Sequence, residues 1–357
     1  MDLIIDSAAF RNNLLNWFEN NARKLPWRND PHWYKTFLSE FMLQQTQVEQ
    51  VIPYYHKFYN RFPNIERLAS ADEHEILTIW AGLGYYSRAR NLRKAAIMIV
   101  NDFSGKFPLN INEVLSLPGI GVYTAHAILS IAFNKPFAVV DGNVKRVISR
   151  LFTINDDISS KQGFRKISMI SEALLDKRNP SKYNEAVMEL GATVCKTKNA
   201  HCMDCPVKFF CNANAKNSVH FYPVKTPAKR KKELFYYTFV IEYNRRFLII
   251  KRPSKGLLAS MWEFPSIEGQ KNAYSKNQLN KFLNNAFGIK GEIKQIFKSI
   301  KHQYTHINAS YTPIRVIPKE IKIISGLSTD YEWVEASELM GFPIHAAHKK
   351  IIKKLKI

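Results

Sequence analysis

The sequence has no cysteine outside one short window and no long run of apolar residues. All four cysteines among its 357 residues lie between Cys195 and Cys211. No stretch approaches the roughly 18 apolar residues that suggest a membrane span. The first residues, MDLIIDSAAF, lack the basic and apolar segments of a signal peptide. We therefore expect no membrane association and a cytoplasmic location, at the nucleoid if the source is bacterial, where disulfides are rare.

Acidic residues are scarce relative to basic ones. Lysine and arginine number 52 against 30 acidic residues, which gives a formal net charge of +22. Such an excess favours a phosphate-rich partner, although a generically basic protein is the competing interpretation. Only the last residues, HKKIIKKLKI, resemble a membrane-surface helix, and they more simply indicate a terminal helix with a solvated basic face. Nucleic acid is the expected partner.

The cysteines follow the spacing C-x6-C-x2-C-x5-C, carried by Cys195, Cys202, Cys205 and Cys211. Two disulfides, a structural zinc and an iron–sulfur cluster all use four cysteines, and a reducing compartment disfavours the disulfides. Zinc sites usually pair close cysteines separated by a longer insertion. Short, unequal gaps instead suit four thiolates around one compact cluster. The spacing favours iron–sulfur and leaves zinc or unligated thiols open.

The periodicity of apolar residues changes along the chain. Up to about residue 220 they recur at helical spacing, as in EILTIWAGLGYYSRARNLRKAAIMIV. VKTPAKRKK then marks a basic linker at residues 221–233. In residues 234–357, LFYYTFVIEY, RRFLIIKR, YTPIRVIP and YEWV alternate as strands do, and KNQLNKFLNNAF is helical. The sequence predicts an all-α domain over residues 1–220, joined to an α+β domain.

LSLPGIGVYTAHAI, at residues 115–128, predicts two helices joined by a tight hairpin. Gly119 and Gly121 permit a sharp turn whose backbone amides can bind a phosphate. An ordinary helix connection is the alternative, but the charge of the chain favours a helix-hairpin-helix DNA-binding element.

Two carboxylates stand near apolar segments. Glu40 lies in the helical pattern FLSEFMLQQTQ, where a surface acid would be the usual interpretation. Asp141 lies between an apolar run and a helical pattern, where aspartate commonly caps a helix. The helix dipole would also keep Asp141 ionised, so capping and chemistry are compatible.

Six sequence blocks follow one another along the helical part of the chain: LPWR, SEFMLQQTQV, WAGLGYYSRARNL, LPGIGVYTAHAI, VDGNVKRV and YNEAVMELGATVC. These blocks and their order resemble the MutY family of adenine DNA glycosylases. The cysteine spacing is similar to the [4Fe–4S] site that this family shares with endonuclease III. The resemblance implies a helix-hairpin-helix DNA glycosylase with that cluster, whose basic loop, with Lys196 and Lys198, lies at the DNA backbone.

The resemblance also implies roles for individual residues. Glu40 would protonate adenine at N7, which requires a desolvated carboxyl that holds a proton near neutral pH. Asp141 would stabilise the sugar cation or attack it, and Asn143 would position Asp141 or water. Tyr123 replaces the lysine of strand-cleaving relatives, which implies base removal without strand cleavage. The implied DNA-binding residues are Arg28, Gln44 and Glu185 in the base pocket, Gln45 and Tyr85 as wedges in the base stack, and Gly119 and Gly121 in the hairpin.

The C-terminal part resembles the Nudix-like domain appended to MutY enzymes, through GLLASMWEFP at residues 256–265. Residues 260–300 lack the acidic pattern REUxEExGU (U, aliphatic) of a Nudix hydrolase, so we expect binding rather than hydrolysis. HQYTHINASY resembles the Phe-Ser-His loop that recognises 8-oxoguanine in the family. Here Tyr304 and Thr305 replace the first two residues, and His306 is retained.

The implied substrate is duplex DNA with adenine opposite 8-oxoguanine or guanine. A monomer would extrude the adenine and hydrolyse its N-glycosidic bond in base excision repair. One alternative is an endonuclease III-like glycosylase/lyase for damaged pyrimidines, which Tyr123 and the second domain disfavour. The other is a catalytically silent DNA-binding protein, which the presence of both Glu40 and Asp141 disfavours.

Overall fold

The computed structural model describes most of the chain. The described residues are 6–28, 32–227, 230–271, 274–321 and 330–357. The expected linker at 221–233 includes Ala228 and Lys229, which lie outside the described residues, so its extent stays a prediction. No helix of the described ranges combines the length and apolar character needed to cross a membrane.

Contacts divide the chain into two compact units. The helical unit comprises Met1–Ser70 and Lys94–Ala228, and the sheet unit comprises Ala71–Arg93 and Lys229–Ile357. Residues 71–93 therefore group with the C-terminal part, although they lie within the first expected domain.

The described helices follow the periodic segments of the sequence. They are α1 (Ser7–Asn21), α2 (Trp33–Leu43), α3 (Val48–Arg61), α4 (Ile65–Ser70), α5 (Glu73–Trp80), α6 (Ser87–Asp102), α7 (Ile111–Ser116), α8 (Val122–Phe133), α9 (Gly142–Leu151), α10 (Lys161–Leu174), α11 (Pro180–Thr193), α12 (Asn212–Ala215), α13 (Lys276–Phe287) and α14 (Ala346–Leu355). The helices expected around the glycine hairpin and at KNQLNKFLNNAF are confirmed by α7, α8 and α13.

Helix α9 shows how the sequence builds the core of the helical unit. Its apolar residues Val144, Val147, Ile148 and Leu151 recur three and four positions apart, so they form one buried face. That face packs in a core to which α1, α10 and α11 also contribute. Because Asp141 caps the N-terminus of α9, this packing also fixes the position of a candidate catalytic residue.

The described strands of the sheet unit are β1 (Lys232–Tyr243), β2 (Arg246–Lys251), β3 (Trp262–Glu263), β4 (Ser266–Gly269), β5 (Ile289–Ile296), β6 (Ile300–Gln303), β7 (Ile307–Ile321) and β8 (Tyr331–Glu335). They pair in the order β3-β2-β1-β7-β5, with β4 on β1, β6 on β7 and β8 on β2. Long strands β1 and β7 run parallel, from Lys232 opposite Ile307 to Ile241 opposite Val316. The four strands expected from alternation are confirmed by β1, β2, β7 and β8.

Two cores cover the two faces of this sheet. Along β2, Phe247 and Ile249 enter one core, while Leu248 and Ile250 enter the other. Alternation of this kind follows from the two-residue period of a strand. The first core includes Ile351 of α14, and the second includes residues of α13. The unit is thus a sheet between helices.

Candidate active site

Glu40 is buried in the helical unit, not solvated. Helix α2 carries it among buried neighbours, and Glu40 is 5% exposed. It lines a cavity of about 730 Å³ together with Tyr123 and Asp141. Burial raises the pKa of Glu40 to about 7, and the nearby charge of Asp141 acts in the same direction. A carboxyl with this pKa can hold a proton near neutral pH, which the role implied by the family resemblance requires.

Tyr123 reaches Glu40 from the glycine hairpin. Its hydroxyl donates to Glu40 Oε2 at 2.8 Å, and this bond opposes the rise in the Glu40 pKa. Gly119 has φ of 81°, which favours glycine. Gly121 caps α8 with φ of −97°, which any residue adopts, and open space surrounds its Cβ position. Only Gly119 is required by the turn itself.

Asp141 caps α9 as its sequence context suggested. Its Oδ1 accepts the Val144 N–H at 2.6 Å, and its Oδ2 accepts from Asn143 Nδ2 at 2.8 Å. Burial raises the pKa of Asp141, although these hydrogen bonds and the charge of Arg146 act to lower it. The net direction is opposite to the one expected from the helix dipole alone, because the cavity removes the carboxylate from water.

Arg28 and Glu185 meet in the same cavity. Arg28 Nε donates to Glu185 Oε1 at 2.7 Å, and burial raises the Glu185 pKa despite this bond. The sequence reasoning missed two further residues, Glu189 and Arg23. Glu189 lies one turn beyond Glu185 on α11, so the four-residue spacing in YNEAVMELGATVC was the available clue.

Gln44 and Gln45 follow the last residue of α2. Gln44 Nε2 donates to Thr124 Oγ1 at 3.1 Å and to the Gly119 carbonyl at 3.3 Å, which ties α2 to the hairpin. Gln45 is exposed and has φ of 59°, a conformation that non-glycine residues rarely adopt. The Gln44 side chain therefore connects the end of α2 to the hairpin, whereas the Gln45 side chain projects into solvent from a strained backbone.

The four cysteines line a small common cavity of about 30 Å³. Burial raises the pKa of Cys205 to about 12, and the other three cysteines add to the rise. A tetrahedral zinc would bring its sulfur ligands to about 3.8 Å from one another. We searched the described residues for three His, Cys, Asp or Glu side chains whose ligand atoms all lie within 4.8 Å of one another. No such group of described residues contains a cysteine. Among the described residues, the cysteine sulfurs therefore share one cavity without the close mutual spacing of a single zinc site.

Two arginines of α9 hold the cysteine segment. Arg150 Nη1 donates to Cys195 Sγ at 3.3 Å and to the Lys196 carbonyl at 2.7 Å. Arg146 donates to the Cys195 carbonyl at 2.7 Å and to Asn143 Oδ1 at 2.8 Å. The segment that carries Lys196 and Lys198 is thus bonded to the helix that Asp141 caps.

In the sheet unit, Tyr304, Thr305 and His306 form the loop between β6 and β7. Thr305 and His306 are exposed, whereas the Tyr304 hydroxyl bonds that of Tyr311 at 2.9 Å beside the core. Thr305 Oγ1 donates to the Tyr85 hydroxyl at 3.1 Å. Tyr85 is 40% exposed with φ of 49°, so it combines exposure with a strained backbone, as Gln45 does.

A buried group in the sheet unit also has metal-ligand chemistry. Glu263, His345 and His348 offer ligand atoms within 4.8 Å of one another. However, Arg252 donates to Glu263 at 2.7 Å, and the Phe264 N–H donates to Nδ1 of His348 at 3.0 Å. Neutral His348 then carries its hydrogen on Nε2, so neither nitrogen is free to bind a metal. The arrangement suits a hydrogen-bonded core.

Comparisons with known proteins agree with this geometry. Residues 38–172 match the family model described as HhH-GPD superfamily base excision DNA repair protein, and residues 236–354 match the NUDIX domain. The adenine DNA glycosylase of Buchnera aphidicola subsp. Baizongia pistaciae is 35% identical, over 98% of this chain and 97% of its own. That of Homo sapiens is 31% identical, over 98% of this chain and 74% of its own. A thermostable thymine-DNA glycosylase structure aligns with a TM-score of 0.54 at 27% identity, over 59% of this chain and 97% of that one.

The helical fold and its buried acid, with the matching family model, define a helix-hairpin-helix DNA glycosylase of base excision repair, which hydrolyses N-glycosyl bonds. A Nudix-like domain follows it. Similarity over nearly the whole length narrows the class, and the chain belongs to the adenine DNA glycosylase family. The resemblance inferred from six sequence blocks is confirmed.

Proposed function

We propose that this enzyme removes adenine mispaired with 8-oxoguanine, or with guanine, from duplex DNA and leaves the strand intact. The observation that carries the proposal is Glu40, a carboxyl with a pKa of about 7 in a cavity of about 730 Å³. Adenine leaves poorly as an anion, and a buried acid can protonate it during bond cleavage.

Glu40 and Asp141 divide the chemistry. Glu40 protonates N7 of the extruded adenine as the N-glycosidic bond breaks, and Asp141 stabilises the sugar cation as charge develops. Water then bonds to the sugar carbon and gives its proton to the Glu40 carboxylate, which leaves free adenine and an abasic site. Asn143 holds one oxygen of Asp141, while the Tyr123 hydroxyl orients Glu40. Because Tyr123 has no amine, it cannot attack the sugar as the lysine of a glycosylase/lyase does.

Arg28 and Glu185 supply the polar edge of the base pocket. Together they present guanidinium donors beside a carboxylate acceptor. Adenine has ring-nitrogen acceptors and an exocyclic amine donor, so this pair can bind it through complementary hydrogen bonds. Gln44, a further candidate contact of the base, is held by its bond to the hairpin, whose Gly119 and Gly121 amides contact the DNA backbone.

Exposed side chains are proposed to separate the stacked bases and to recognise the base opposite adenine. Tyr85 and Gln45 are wedges that enter the base stack, and their strained, exposed backbones support that role. Thr305 and His306 offer polar groups for 8-oxoguanine at the β6–β7 loop, and Tyr304 anchors the loop to the core. Replacement of serine by threonine keeps the hydroxyl at position 305.

The four cysteines are the proposed ligands of a [4Fe–4S] cluster, which is supported by their sequence spacing and by the one cavity that they line. When bound, the cluster supplies a rigid organising centre for the basic loop. Lys196 and Lys198 of that loop contact DNA phosphates, and Arg150 fixes its backbone through the carbonyls of Lys196 and Thr197. We also propose that the enzyme acts as a monomer and that it is located in the cytoplasm.

Release of free adenine tests the function directly. Single-turnover reactions would use duplexes with adenine opposite 8-oxoguanine, guanine or thymine, and the released base would be quantified by chromatography. We expect the fastest release opposite 8-oxoguanine, slower release opposite guanine, and little opposite thymine. Equal rates for all three duplexes would contradict the proposed specificity.

A further inference from the structure

A line of four charged side chains crosses one wall of the cavity, and two of them have no role in the chemistry above. Glu189 Oε1 accepts from Arg23 Nε at 2.7 Å, and its Oε2 accepts from Arg23 Nη2 at 3.2 Å and from Arg28 Nη2 at 3.0 Å. Arg28 also bonds Glu185, so the line runs from Arg23 through Glu189 and Arg28 to Glu185. Glu189 is 1% exposed, which makes it the most buried member of the line.

We propose that Glu189 and Arg23 are positioning residues, which hold Arg28 across Glu185 and set the balance of charge that Glu40 experiences. This inference rests on the adenine-excision function proposed above. It assigns a purpose to two residues that touch neither the leaving base nor the sugar in that mechanism.

Burial and spacing support the assignment. Glu185 and Glu189 lie one turn apart on α11, where two partly desolvated carboxylates repel each other. Arg28 lies between them and bonds both. Because Arg23 gives Glu189 a second cation, Arg28 remains available to orient Glu185 towards a bound base. The pKa of Glu189 is lowered, since these bonds outweigh its burial, so Glu189 is ionised at neutral pH.

Glu40 responds to this line through two of its members, Arg28 and Glu185. The charged and titratable groups that act on it are Tyr123 from α8, Asp141 from the cap of α9, Glu185 from α11, and Arg28 from the segment after α1. Arg28 favours ionised Glu40, and Glu185 favours the protonated form. Without the negative charge of Glu189, the positive charge of Arg28 would be less balanced and would favour ionised Glu40 more strongly. Without Arg23, the negative charge of Glu189 would be less balanced and would favour protonated Glu40. The two changes should therefore move the titration of Glu40 in opposite directions.

The test compares Glu189→Gln, Arg23→Gln and wild-type protein. Single-turnover adenine excision would be measured from pH 5 to 9, and the Glu40 carboxyl would be titrated by ¹³C NMR without DNA. We expect the midpoint to fall in Glu189→Gln and to rise in Arg23→Gln, each by about half to one pH unit, or about three- to ten-fold in the protonated fraction above the midpoint. Glu49→Gln is the matched control, because exposed Glu49 contacts the same Arg23 at 3.4 Å and is screened by water.

Shifts of the Glu40 midpoint in opposite directions would support the inference. Shifts in the same direction, or unchanged midpoints with slower excision, would overturn it and indicate a structural role. If a glutamine variant folds poorly, Glu189→Asp and Arg23→Lys keep the charges and should keep the wild-type midpoint. Wild-type protein that releases no adenine would refute the proposed function instead, and the NMR titration would still decide whether the line acts on Glu40.

Discussion

The cavity of the helical unit and the β6–β7 loop of the sheet unit hold their functional side chains in different ways. In the cavity, Glu40 is buried and bonded to Tyr123, and Asp141 accepts bonds from Val144 and Asn143. In the loop, Thr305 and His306 are exposed.

This difference matches the proposed division of roles, with chemistry in the cavity and recognition of the opposite base in the loop. Desolvation raises the pKa of a buried carboxyl, and fixed hydrogen bonds hold the carboxyl in place; an exposed site provides neither effect. A surface loop instead presents polar groups to a partner and needs little rigidity of its own. Changes in the cavity should therefore reduce the rate of excision for every substrate, while changes in the loop should alter the preference between substrates.

Glu40→Gln and Asp141→Asn should have the largest effects. Each keeps the shape of the side chain while it removes the proton donor or the charge, so excision should slow by about 10²–10³-fold or more. DNA binding should remain, since the phosphate contacts are unchanged. Single-turnover rates and a filter-binding assay at the same salt would check this, and near-normal excision by either variant would remove that residue from the chemistry.

Cys205→Ser should reduce the iron content and the thermal stability. Cys205 lines the shared cavity of the four cysteines, and its loss would leave the proposed cluster with three thiolate ligands. Iron analysis, visible absorbance and a melting curve under anaerobic conditions would report the change. Met203→Ser is the matched control, because Met203 lies in the same loop and is 79% exposed. Wild-type protein with stoichiometric zinc and no iron would contradict the cluster assignment.

Tyr123→Phe should move the pH dependence of excision. The proposed mechanism requires protonated Glu40, so the rate of the wild-type enzyme should fall as pH rises through about 7. The Tyr123 hydroxyl lowers the Glu40 pKa by bonding its ionised form. Without that bond, the pKa rises and the decline should begin about one pH unit higher. Tyr222→Phe, which removes a hydroxyl bonded to Asn155 in the same unit, should leave the profile unchanged.

Thr305→Val should have the smallest effect on rate and a selective effect on preference. The change removes a hydroxyl and keeps the size of the side chain, so the preference for 8-oxoguanine over guanine should fall by about ten-fold. The two excision rates should be compared at fixed salt, because phosphate contacts depend on salt. Asn308→Ala, at the start of β7, is the control that should retain the preference. An unchanged ratio in Thr305→Val would place recognition elsewhere.

Local patterns predicted most of the elements and few of the contacts between them. The alternation in LFYYTFVIEY and the helical period around Glu40 identified β1 and α2, because both patterns repeat over a few residues. The parallel pairing of β1 with β7 joins residues that lie far apart in sequence, and no local pattern encodes it.

The site shows the same limit. Motif order gave Glu40, Asp141 and the cysteines, but Glu189 and Arg23 were missed, because each is an ordinary charged residue until folding brings them within 2.7 Å. The bond between Thr305 and Tyr85 likewise joins residues 220 positions apart. The sequence shows which ionisable side chains are present, whereas the pairing of opposite charges depends on the fold.

Alkali-dependent cleavage tests the central claim most directly. A labelled duplex with adenine opposite 8-oxoguanine, and a second with an oxidised thymine opposite adenine, would be incubated with the enzyme, with and without subsequent alkali. The account predicts that only the first duplex is cut, and only after alkali, because base removal leaves an abasic site in an intact strand. Cleavage of the oxidised-thymine duplex, or strand breaks without alkali, would contradict it and indicate a glycosylase/lyase for damaged pyrimidines.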